Sequence, residues 1–141
     1  MKKIYDMTVA EKLKAAENLW IWREAILSGK YPKSEYGLQL RDDEGFDCFG
    51  IACDLFKNED ESWFRRGPRD WSFVSEGKNF CFYAPKRILV ELGMSREDER
   101  RLSLINDMDK TFEGIVMAID DNYIMPLQKS IEVFDMQRES I

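Results

Sequence analysis

Asp47-Cys48-Phe49-Gly50-Ile51-Ala52-Cys53-Asp54 is the stretch on which the fold turns. Asp47 has the short acceptor side chain that caps a helix, and Phe49, Ala52, Cys53 and Phe56 recur at a spacing that lines one helical face. The spacing predicts a helix from Asp47, as its cap, to about Lys57. A cysteine at such an entry has its thiolate favoured by unpaired amides and by the helix dipole. This is where nucleophilic chemistry could sit, with Asp47 as the nearest assisting carboxylate. The chain of 141 residues has no histidine, however, and so lacks the commonest general base for a cysteine nucleophile.

Upstream, Thr8-Val9-Ala10-Glu11 has the capping-box form, and Ala15, Leu19, Trp22 and Ile26 follow at helical spacing as far as Ser28-Gly29. Tyr31-Pro32 ends this first helix. Tyr36 to Leu40 alternates as a short strand would, before the turn signal Asp42-Asp43-Glu44-Gly45. Downstream, residues 58 to 70 read as a loop, and Trp71–Val74 with Asn79–Tyr83 flank Ser75-Glu76-Gly77-Lys78 as a hairpin. Pro85 opens a short helix that Gly93 closes, and Ser95 caps the next, where Glu97 and Arg101 stand one turn apart. Asn106 to Thr111 reads as a polar break. Phe112, Ile115, Val116 and Ile119 then mark a helix capped by Thr111, and Pro126 begins the last, with Leu127, Ile131 and Phe134 on one face. The expected fold is α+β: residues 1–141 form one helix-rich domain with a small antiparallel β-hairpin or sheet.

Composition narrows the function. The 21 basic and 27 acidic residues leave a formal charge of -6, which argues against duplex nucleic acid, because phosphate neutralisation needs a basic face. Imitation of DNA is a further reading of that charge, but interspersed lysines and arginines interrupt any acidic strip. No apolar run is long enough for a signal peptide or a membrane span, so a cytoplasmic protein is expected. Cys48, Cys53 and Cys81 are odd in number and lack disulfide or zinc spacing, which suits a reducing compartment and predicts no structural metal and no cofactor.

Phe46-Asp47-Cys48-Phe49-Gly50-Ile51 resembles the Asp-Cys-Ser-Gly start of the catalytic helix in NlpC/P60-type cysteine peptidases. In that family a histidine from the following sheet activates the cysteine. This chain has Phe49 at the serine position and no histidine, so Cys48 and Cys53 read instead as small buried hydrophobes. A second resemblance runs through Trp22, Ser28-Gly29-Lys30-Tyr31, Cys48 to Leu55, Leu92-Gly93, Asn106-Asp107, Thr111-Phe112 and Ile115. This order is similar to a family of small proteins often encoded by bacteriophages. Many members have another cysteine where Asp47 stands. The family has no settled activity, so the resemblance implies an origin, and with it the cytoplasm of an infected host cell, rather than a reaction.

Two further clusters carry chemistry. Asp107, Asp109, Thr111 and Glu113 alternate like the start of an EF-hand loop, but Phe112 occupies the glycine position and Ala118 the closing glutamate, so calcium is not expected. Asn106 and Asp107 read either as helix caps or as holders of a ligand hydroxyl or base edge beside an anion-accepting helix terminus. Arg65, Arg66 and Arg69 among Trp63, Phe64 and Trp71 combine charge with aromatic faces. Arg65, Arg66 and Trp71 are thus candidates for phosphate pairing and base stacking, the alternative being a surface loop whose arginines answer Glu59, Asp60 and Glu61.

The expected function is that of a non-enzymatic, phage-encoded binding protein that interferes with a host pathway by sequestering a host protein or a nucleotide-like small molecule. The alternative is a cysteine-dependent hydrolase or transferase using Cys48 and Asp47. A homodimer could form through the open edge of the hairpin.

Overall fold

In a computed structural model, residues 6–34, 39–109 and 111–139 are described. Helix α1 spans Val9–Leu27. Its capping box is closed in both directions: the Glu11 amide donates to Thr8 Oγ1, and the Thr8 amide donates to the Glu11 carboxylate. Gly29, at φ 77°, takes the left-handed turn that ends it. Ala15, Leu19, Trp22 and Ile26 face inward, as their spacing predicts. Asn18 joins them, and its amide donates to the Glu91 carbonyl at 2.8 Å, tying α1 to a later helix.

Helix α2, Cys48–Phe56, follows its expected bounds with Asp47 as cap, but it is not amphipathic at its start. All six residues from Cys48 to Cys53 are buried, because the chain around Leu40 crosses over the face that would otherwise meet water. Asp47 donates its amide to the Leu40 carbonyl, and a Cβ on Gly50 would lie 1.7 Å from that same oxygen. Glycine is required there by close backbone approach. Of the strand expected over Tyr36–Leu40, residues 36–38 lie outside the described residues, and Gln39 and Leu40 form a bend instead of strand. On either side, Lys33 and Arg41 make isolated bridges to Phe46.

Three antiparallel strands follow, in the order β1 (Ser62–Arg65), β2 (Trp71–Ser75), β3 (Lys78–Phe80). The hairpin falls where expected, with Glu76 and Gly77 both at positive φ in a two-residue turn, but the second strand, expected over Asn79–Tyr83, is corrected: it runs Lys78–Phe80 and the chain bends away at residues 81–83. The loop expected over residues 58–70 is corrected: β1 lies within it. Its polar and breaker residues make the flanking turns, while Trp63 pairs with Phe73 across the sheet, ring centroids 5.1 Å apart.

Helix α3 (Lys86–Leu92) starts after Pro85 and ends on Gly93 at φ 67°. Helix α4 (Arg96–Met108) opens with a second capping box, Ser95 with Asp98. Asp98, drawn back into that box, also takes Arg101, so the expected Glu97–Arg101 pair is replaced. α4 runs through Asn106 and Asp107, correcting the polar break, because Asn106 reaches a distant backbone amide instead of its own. Helix α5 (Glu113–Ile119) is preceded by Phe112 as cap residue, and Thr111 offers only a 3.4 Å contact to the Glu113 amide. A π-helical turn, Asp120–Ile124, joins α5 to α6 (Met125–Glu139) without a break.

Pro126 therefore does not begin a helix. It has no N–H for the Asn122 carbonyl and its ring crowds that group, which the wider π turn absorbs. Arg23 bonds Asp120 at 2.6 Å and Lys12 bonds Ser130 at 2.7 Å, so α1 braces both parts of this rod. Leu127 and Ile131 turn to the core as expected; the side chain of Phe134 lies outside the described set. The fold is the α+β class read from the sequence. No helix among the described residues is long and apolar enough to cross a membrane.

Candidate functional site

The entry of α2 lies at the centre of the core. Asp47 Oδ1 accepts from the Gly50 amide at 2.6 Å, and Asn106 Oδ1, from the last turn of α4, accepts from the Cys48 amide at 3.1 Å. The Trp22 indole donates to the Cys48 carbonyl at 2.7 Å. Two of the amides that could have received an anion are thus already satisfied by side chains. Cys48 has no accessible surface. Burial pushes its thiol well up, and the neighbouring Asp47 and Asp107 charges push the same way. Cys53 is buried and raised for the same leading reason. The expectation of a favoured thiolate is corrected, since desolvation and two carboxylates outweigh the helix terminus.

Asp47 is itself pushed up to about 8, by burial first and then by Asp107 and Glu99, against the pull of the Gly50 and Phe49 amides. A carboxyl at this level holds a proton at neutral pH and serves as a cap. Asp107 is raised by burial, with Asn106 and Lys33 opposing. Asn106 and Asp107 sit at a helix C-terminus rather than before an N-terminus, so the expected anion site beside them is corrected. Asn106 does cap a helix, but one that begins 58 residues earlier in the chain. That pairing has no local signal in the sequence.

The arginine-tryptophan loop is also tied into the fold. One Arg65 Nη2 donates to Asp43 at 2.7 Å and to the Pro68 carbonyl at 2.8 Å, while the Trp71 indole donates to the other Asp43 oxygen at 2.8 Å. Arg41 lies 4.0 Å from the Trp71 ring centroid, and within 4.9 Å and 5.4 Å of those of Phe46 and Trp63. Its guanidinium occupies a face on which a base would stack. Arg66 reaches Cys81 Sγ at 3.5 Å instead. The expected answer from Glu59, Asp60 and Glu61 is corrected too: Arg65 pairs with Asp43, and Glu61 receives Arg87, Ser75 and the Asn58 amide. Burial alone would raise Glu61, but these three donors hold it below its ordinary range.

A third place was not singled out by the sequence. Past β3 the chain turns outward, leaving Phe82 63% and Tyr83 53% exposed. These rings face Arg96, Arg100 and Ser103, spaced four and then three residues apart along α4, across a groove of about 490 Å³. The Arg96 guanidinium stands 4.8 Å from the Tyr83 centroid, held by Glu99 and the Ala84 carbonyl. Exposed aromatics next to arginines separated by a helical turn could have been the signal, but Phe82 and Tyr83 read as the end of a strand. Among the described residues no group of three or more cysteines or carboxylates is arranged to hold a metal ion.

No curated protein and no solved structure matches this chain. A family model does, over residues 13–89, a segment that runs from α1 through the entry of α2 and the whole sheet into α3. With more than half of its length matched, the chain belongs to the family described as Domain of unknown function (DUF8296).

Proposed function

We propose that this chain is a non-enzymatic, phage-encoded binding protein that acts in the cytoplasm of an infected host cell by sequestering a nucleotide-like small molecule. The observation that carries the reading is the state of Cys48: fully buried, its thiol raised, and its amide and carbonyl both engaged by side chains from other helices. A hydrolase or transferase using Cys48 and Asp47 would need an exposed thiolate and a base, whereas Asp47 itself is shifted toward its protonated form. The chemistry-bearing residues of this entry serve packing and capping. What remains on the surface for function is recognition.

Sequestration of a host protein is a second reading, favoured by one observation. Leu13, Trp20 and Leu27, seven residues apart on α1, are each about half exposed (53%, 50% and 50%) and Ile21 lies beside them. Apolar residues repeated along one outward helical face suit contact with another helix.

Native mass spectrometry of the purified chain after incubation with host extract tests the proposal. A retained nucleotide-mass adduct, kept by Cys48→Ser, is the expected result. Turnover of an ester or amide substrate that Cys48→Ser abolishes, at unchanged melting temperature, would overturn it in favour of the enzyme.

A further inference from the structure

The surface beside Tyr83 holds two grooves that meet at Arg96. The first, between Phe82, Tyr83 and α4, has a volume of about 490 Å³; the second, of about 420 Å³, runs past Phe80 and Lys78 to Lys86 and Arg87. Phe80 and Tyr83 touch edge to face, centroids 5.8 Å apart, and with Arg96 they form the ridge between the two. Each volume is in the range of small-molecule sites.

Charge is distributed across this ridge in a way the rest of an acidic protein would not lead one to expect. The side chains of Arg100, Lys86 and Lys78 make no hydrogen bond or ion pair among the described residues. Arg96 is answered by Glu99, and Arg87 by Glu61. The acidic groups at the grooves are Glu99, which also accepts from the Ala84 amide at 2.7 Å, and Glu76 at the hairpin tip. Free cations therefore stand on both sides of the ridge, with an exposed aromatic face on one. A planar ring has a place on Phe82, and phosphate oxygens have donors at Arg100 on one side and Lys86 on the other.

Resting on the reading of this chain as a nucleotide-sequestering protein, we propose that the paired grooves form its ligand site and take a nucleotide bearing two phosphate groups. The base stacks on Phe82 and the phosphates cross Arg96 from Arg100 toward Lys86. A nucleoside diphosphate and a dinucleotide share this chemistry. The arginine-tryptophan loop has no part in it.

Isothermal calorimetry with ADP, the dinucleotide pApA, AMP and inorganic phosphate tests the site, each against the wild type and Phe82→Ala, Arg100→Ala, Lys86→Ala and Arg65→Ala. The three groove residues are exposed, so their variants should keep the wild-type melting curve, which is recorded alongside. ADP or pApA should bind at least roughly tenfold more tightly than AMP, and each groove variant should weaken binding by roughly tenfold while Arg65→Ala leaves it unchanged. Whichever of ADP and pApA binds better identifies the source of the second phosphate. Binding that is indifferent to all three groove variants overturns the site but leaves nucleotide sequestration standing. If none of the four probes binds, the inference falls, and a nucleotide-mass adduct from host extract then decides whether the broader reading falls with it.

Discussion

Replacing Asn106 with alanine should destabilise the protein out of proportion to the loss of one amide group. Asn106 is 1% exposed, and its Oδ1 is the acceptor for the Cys48 amide at 3.1 Å. Truncation leaves that N–H buried without a partner, at a cost of about 1–3 kcal/mol. It also leaves a small polar void between α4 and α2, where close packing lets little relax. A loss of about 2–3 kcal/mol in total is expected, which at this chain length lowers the melting temperature by about 5–10 °C. Urea denaturation with an unchanged slope would show that the loss is in the folded state. Asn106→Asp retains an acceptor of the same shape but sets a carboxyl beside Asp107 and near Asp47, so it should recover stability at acid pH and lose it at neutral pH. Asn106→Ala within about 0.5 kcal/mol of wild type, the range of an ordinary surface change, would refute the assignment of Asn106 as the cap of α2.

Asp47→Asn keeps a capping oxygen for Gly50 and removes a titration. Because the folded-state carboxyl is raised to about 8, Asp47 contributes stability at low pH that is lost as pH rises from its unfolded value, about 4, through about 8; the variant should flatten that part of the stability profile in chemical denaturation across pH. Gly50→Ala drives a Cβ to 1.7 Å from the Leu40 carbonyl oxygen, a backbone atom with no rotamer to move, so the variant should fail to give a cooperative thermal transition. Glu61→Ala strips Arg87, Ser75 and the Asn58 amide of a shared buried acceptor and should cost about 2–4 kcal/mol by urea denaturation.

The elements that were legible in the sequence are those written by local rules. Thr8 with Glu11, Asp47 before an apolar run, the Glu76-Gly77 turn and Gly93 after Leu92 each fix a boundary through neighbours a few residues away. What was illegible depends on partners far along the chain. β1 exists because Trp63 meets Phe73, the polar run at Asn106 stays helical because its side-chain oxygen accepts from the Cys48 amide, and the chain at Pro126 stays helical because a π turn absorbs it. The site followed the same division. Cys48 and Asp47 were found, but their chemistry was set by burial, which no spacing encodes. Arg65 and Trp71 do come together, though through Asp43, and Arg41 fills the aromatic face that made them attractive. Phe82 and Tyr83 read as strand residues, and only the outward turn of the chain after Phe80 leaves them open.

Timed alkylation of the folded protein at neutral pH, with site-resolved mass spectrometry, distinguishes a structural cysteine entry at α2 from a reactive one. Cys81, which is only partly buried, should label first, with Cys48 and Cys53 labelling only at the rate of unfolding and together once urea is added. Selective modification of Cys48 ahead of Cys81 in the native protein would contradict the account.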